Sequence, residues 1–151
     1  MYYCIFEQPI KNNMKILISI LALALLSITD SLTAQDSSVT VTISNVTSDE
    51  GSVVFALYNK ATFRLKPLQS ETGKIKNGKT TITFKEVVSG VYAIVCYHDK
   101  NSNDKMDFQP NGIPLEAFGS SNNVIKLYGP PTFDDANFVV SDKDVSLKIK
   151  F

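Results

Sequence analysis

The residues of this chain best suited to chemistry lie between His98 and Asp107. Oxygen-bearing side chains recur there at alternate positions: Asp99, Asn101 and Asn103, then Asp107 after Lys105. Alternate residues of a short loop turn inward together, so this spacing can offer a hard cation such as calcium a set of carboxylate and amide oxygens. Counted from Asp99, the four side chains fall at the first, third, fifth and ninth positions of a calcium loop. The Lys105 carbonyl takes the seventh. The sixth position favours Gly and holds Asp104, a residue type that also visits the left-handed conformation. The twelfth favours a bidentate Glu and holds Pro110, so Glu116, or Asp134 or Asp135, would have to complete the shell. The competing reading needs no ion: Asp and Asn side chains accept bonds from nearby backbone N–H groups and build a turn unaided. Spacing leaves both readings open.

Other reactive groups are sparse. His98 is the only histidine and lacks an adjoining nucleophile and orienting partner, so it reads as a strand-end residue bonded to backbone. Cys96 lies two residues before it, on the same strand face. With no further Cys or His nearby to make a zinc site, it reads as a small buried hydrophobe. Tyr58, Tyr92, Tyr97, Tyr128 and Phe118 could form a sugar-stacking platform, although aromatic residues at alternate strand positions more commonly belong to a core. The Asp134-Asp135 pair after Pro130-Pro131 suits either ion ligands or a capping turn.

The elements that must position these residues are strands. Residues 38–46 alternate Val39, Val41 and Ile43 with Thr40, Thr42 and Ser44, a half-buried pattern. Residues 52–58 and 91–97 are apolar on both faces, as central strands of a sandwich are. Asn77-Gly78 marks a tight hairpin whose central residues both need positive φ. Residues 59–72 read as an irregular excursion pinned by Phe63, Leu65 and Leu68. Residues 99–123 read as a long loop with few apolar residues, a length that implies function or a clamp. Short strands are expected at 124–127, 137–140 and 145–151. With no sustained helical period, the expected fold is all-β: an antiparallel β-sandwich of about seven strands, immunoglobulin-like or transthyretin-like.

At the N-terminus, Lys11 and Lys15 precede an apolar run over residues 16–26, and Ser31-Leu32-Thr33-Ala34 follows. This is the layout of a secretory signal peptide over residues 1–34, and the run is too short to span a bilayer. Met14 is a second possible start, which would make residues 1–13 an upstream misreading. Cleavage after Ala34 leaves a single domain, residues 35–151, exported to the periplasm, the cell surface or the medium. It carries no stable membrane insertion and no possible internal disulfide, since Cys4 is removed and Cys96 stays alone. The whole chain has 15 basic and 15 acidic residues. The segment removed takes two of each, so the balance persists and argues against nucleic acid as a partner.

Five blocks occur in order: Gly51-Ser52-Val53-Val54, Ser89-Gly90-Val91-Tyr92-Ala93, the His98 to Asp107 stretch, Gly112-Ile113-Pro114-Leu115-Glu116, and Pro130-Pro131-Thr132-Phe133-Asp134-Asp135-Ala136. Over residues 39–151 the chain resembles a bacterial family of exported proteins, domain of unknown function 2141. The family pattern often has Gly where Asp104 stands. The resemblance implies an exported β-domain and brings no activity with it. The expected role is a non-enzymatic binding or accessory module for an unidentified ligand or envelope protein. The alternative is a hydrolase of glycan or peptide using Asp99, Glu116 or Asp134 as acids.

Overall fold

The structure is a computed structural model and describes residues 36–124, 126 and 129–151. The signal peptide and its cut at Ala34 lie outside the described residues, as do Ile125, Leu127 and Tyr128. Two sheets face each other, as the alternating patterns require. The first has the order β4-β1-β8, formed by β1 (Ser37–Ile43), β4 (Thr80–Val87) and β8 (Val145–Ile149). The second has the order β3-β2-β5-β6, formed by β2 (Ser52–Tyr58), β3 (Gln69–Lys74), β5 (Gly90–Asp99) and β6 (Phe118–Ser120), with β7 (Asn137–Val140) also paired to β5. All pairs are antiparallel except β1 with β8, the first and last strands, which run parallel. Among the described residues eight strands form where about seven were expected. Among the described residues, no helix is long and apolar enough to cross a membrane.

Period-two alternation assigns the faces. Val39, Val41 and Ile43 of β1 meet Ile82 and Phe84 of β4, Val53, Phe55 and Leu57 of β2, and Ile94 and Cys96 of β5 in one buried cluster. On the opposite face of the first sheet, Thr40 pairs with Thr83 and Thr42 with Thr81, hydroxyl to hydroxyl at 3.0 Å. Cys96 is fully buried and its thiol is pushed well above the ordinary range, chiefly by desolvation. Asn77 and Gly78 hold φ of 53° and 69°, the tight turn their sequence demands. The Asp49 carboxylate locks that turn by accepting their backbone N–H groups at 2.8 and 2.7 Å, which keeps it ionised below the usual range.

Four expectations need correction. The excursion after β2 ends at Gln69, where β3 begins. Its sequence is polar because it is an edge strand with only Gly73 buried. Leu65 and Leu68 do not pin the excursion, being 83% and 47% exposed. Phe63 does, through edge-to-face packing on Tyr58 and Phe133. The long loop contains β6, three residues too short to show a period. Of the strand expected at 124–127, Val124 and Lys126 lie in no strand and the other two residues lie outside the described set.

β5 organises the second sheet. One edge pairs with β2 along seven residues, while the other is shared by β7 at 90–93 and β6 at 95–97. Ser121 fills the gap between those partners. Its N–H donates to the Ile94 carbonyl at 3.0 Å, its Oγ accepts the Ile94 N–H at 3.1 Å, and its hydroxyl donates to the Ala136 carbonyl. The strand is thus fixed on both sides up to Asp99, where the polar loop departs.

Candidate functional site

Asp99 ends β5 with 0% exposure. A carboxylate so placed needs donors, and the loop supplies them from its own backbone. Asn103 N–H donates to Oδ1 at 3.0 Å and Asp104 N–H to Oδ2 at 2.8 Å. Asn101 and Asn103 add two local turns, each side-chain Oδ1 accepting the N–H two residues on, at 3.2 and 2.9 Å. Both amide Nδ2 groups donate to Asp107 Oδ2, at 2.7 and 2.9 Å. Ser102 and Asp104 take φ of 58° and 59° to close the coil. Glu116 reaches back from the far side, accepting the N–H of Lys100 at 3.3 Å and of Asp107 at 3.2 Å.

The four alternate side chains therefore gather in one network, with Glu116 closing it. One of the two left-handed residues falls at Asp104, where a calcium loop needs one. In the arrangement described, amide N–H groups face Asp107, so it meets donors rather than repelling oxygens. No three His, Cys, Asp or Glu side chains form a metal-binding group among the described residues. An ion would be held by two carboxylates, the two amides after they turn their oxygens inward, and the Lys105 carbonyl.

The remaining candidates have structural partners. His98 Nε2 donates to the Glu50 carbonyl at 2.8 Å, the backbone bond expected of it. Asp135 is a capping residue. It accepts the Thr132 N–H at 2.7 Å ahead of a one-turn helix, α1 (Phe133–Ala136), and pairs with Lys126. The Lys126 ammonium, then the Thr132 hydroxyl and N–H, hold its carboxyl down to about 2. Asp134 is exposed on α1, 3.7 Å from Lys60. Of the acids required by the hydrolase alternative, Asp99 and Glu116 spend their oxygens on backbone N–H groups and Asp134 stands beside a lysine.

Past the polar coil, the loop forms one wall of a cleft of about 600 Å³. The opposite wall is the outward face of the second sheet: Tyr58 of β2, Val95 and Tyr97 of β5, and Phe118 of β6. The loop wall is a small hairpin in which Phe108 bridges Pro114, Gln109 N–H donates to the Ile113 carbonyl at 2.8 Å, and Gly112 turns at φ 80°. Phe108 and Ile113 are 55% and 54% exposed beside it. Segment 129–131 completes the rim. Of the aromatic residues considered for a platform, Tyr58, Tyr97 and Phe118 line this cleft, Tyr92 is in the core, and Tyr128 lies outside the described residues.

The model of a family described as an uncharacterised protein conserved in bacteria, domain of unknown function 2141, matches residues 41–148. The chain belongs to this family. The match includes the Asp99 coil, Glu116 and every residue of the cleft wall. No curated protein and no solved structure matches the chain.

The cleft was missed in sequence because Met106, Phe108 and Ile113 are scattered through a polar loop, which carries more apolar surface than expected. The available signal was the apolar second face of residues 52–58 and 91–97, which something must cover.

Asp99→Ala removes two charge-assisted bonds from a buried carboxylate. At about 1.5–3 kcal/mol per bond, urea denaturation should show a loss on the order of 3–6 kcal/mol. Asn101→Ala, on the exposed side, should cost roughly 0.5–1 kcal/mol. An Asp99→Ala loss no larger than that would mean that the carboxylate does not hold the coil.

Proposed function

We propose that this chain is an exported, non-enzymatic binding module of the bacterial envelope or cell surface, and that its ligand face is the cleft between the second sheet and the 106–114 hairpin. The observation that carries this reading is a concave, mostly apolar space of about 600 Å³ walled by Tyr58, Tyr97, Phe108 and Phe118. Small-molecule sites are commonly clefts of about 300–1,000 Å³ lined by apolar and aromatic groups with a few polar ones. The acids nearest by sequence serve the backbone, which favours binding over hydrolysis. Amide chemical-shift mapping with phenol and cyclohexanol tests the reading. Shifts should gather at 95–97, 106–114 and 118–120. Scattered or absent shifts would remove the cleft as a ligand face.

In the same reading the Asp99 coil is a brace that calcium strengthens, through Asp99, Asn101, Asn103, Asp107 and the Lys105 carbonyl, with Glu116 behind them. Two carboxylates make a low ligand charge, so the affinity belongs to the weak class of extracellular sites, about 10⁻⁴–10⁻³ M. An ion that binds only the folded chain stabilises it by mass action. The melting temperature should rise in millimolar calcium and fall with chelator, and Asp107→Ala should abolish the response. Magnesium should substitute poorly, because it demands a tighter octahedron. A melting curve indifferent to calcium and chelator would leave the coil as a turn closed by its own side chains.

A further inference from the structure

The cleft is electrically lopsided. Among the described residues Arg64 is the one formally charged side chain on its wall, beside Tyr58. The acidic groups cluster at the other end: Tyr58 pairs with Ala93 at one end of the β2–β5 ladder, whereas Asp99 pairs with Ser52 at the opposite end. Tyr97 has its hydroxyl pushed above the ordinary range by burial first, and then by the negative charges of Asp99, Glu116 and Asp104. Tyr58 is also raised by burial, but there the neighbouring charge is the Arg64 guanidinium, which pulls the other way. Among the described residues Arg64 enters no salt bridge.

The backbone turn that carries Arg64 is also held in place. Arg64 has φ of 57°, a left-handed backbone unusual for a residue other than Gly, Asn or Asp. The turn around it is bonded: Thr62 N–H donates to Asn59 Oδ1 at 3.0 Å, and Leu65 N–H donates to the Thr62 carbonyl at 2.9 Å. Its neighbour Phe63 packs edge-to-face between Tyr58 and Phe133, with ring centroids 5.7 and 5.6 Å away. Those three rings tie the Arg64 turn to β2 and to the segment that follows Pro131, which fixes the backbone from which Arg64 reaches the cleft.

We propose that the cleft takes an anionic amphiphile, with a carboxylate on Arg64 and an apolar body lying against Val95, Tyr97, Phe118 and Ile113. This rests on the cleft being the ligand face. A guanidinium fork matches a carboxylate with two parallel bonds. Charge complementarity also sets the direction, since a head group at the Tyr97 end would meet the field of three acidic groups. The apolar wall carries the body, and its burial supplies affinity in proportion to the area covered.

Titration calorimetry of the exported chain with octanoate, octanol and octyltrimethylammonium tests this. Octanoate should bind about tenfold tighter than octanol, and the cationic probe weakest of the three. Arg64→Gly should erase the difference between octanoate and octanol. Glycine accepts the positive φ, so this variant should melt no lower than the parent. Ile113→Asp, at an exposed wall position, should weaken octanoate and octanol alike. Equal affinity for octanoate and octanol in the parent, or a preference that survives Arg64→Gly, would overturn the anionic ligand while leaving the cleft as a binding face. Failure of all three probes to bind would overturn both.

Discussion

The structure depends on one buried carboxylate. Asp99 stands at the end of the central strand with 0% exposure, and a charged oxygen pair in that position is tolerated only with donors aimed at it. The donors are two consecutive backbone N–H groups, from Asn103 and Asp104, so the chain must coil back on itself as it leaves the sheet. That coil sets the direction of everything after it. Glu116 then clasps the start and end of the coil, and the hairpin between them is presented beside the outward face of β5. A polar knot at a strand end thus positions an apolar wall some ten residues further along the chain.

The strand that carries Asp99 must itself be fixed for this to work. Its inner face is locked by Ile94 and Cys96 in the shared core. Its edges are occupied by β2 on one side and by β6, Ser121 and β7 on the other. His98 adds a tie from Nε2 to the Glu50 carbonyl, in the turn before β2. Local propensity, core packing and polar satisfaction therefore agree at the end of β5, which is the condition for one defined structure there.

Some of this was legible in sequence and some was not, for definite reasons. β1 and β4 alternate because each buries one face, and alternation directly records one-sided burial, whereas β2 and β5 were legible as runs apolar on both faces, as strands covered on both sides are. The 77–78 turn was legible because only a few residue types accept its backbone. β3 was hidden, since an edge strand with one buried residue has no pattern to show. β6 and α1 are too short to have a period. The convergence of 99, 101, 103 and 107 followed from their spacing, whereas the inward turn of the two amides toward Asp107 depends on backbone angles that spacing does not determine. The cleft was beyond local reading, because its walls come from segments up to about seventy residues apart and meet only after the sheet forms. Arg64 illustrates the point: nothing in its neighbourhood in sequence singles it out, and only the turn and the three rings bring it to the rim.

The central claim is that the Asp99 carboxylate holds the loop that forms one wall of the cleft. Residue-resolved amide hydrogen exchange reads it directly, because an amide bonded to a buried carboxylate exchanges only when the coil opens. The account predicts that the Asn103 and Asp104 amides exchange far more slowly than that of Ser102. It also predicts that Asp99→Ala, which removes both acceptors, removes their protection and that of the Gln109 and Gly112 amides in the hairpin. Wild-type Asn103 and Asp104 amides exchanging as fast as Ser102, or a hairpin whose protection survives Asp99→Ala, would contradict it.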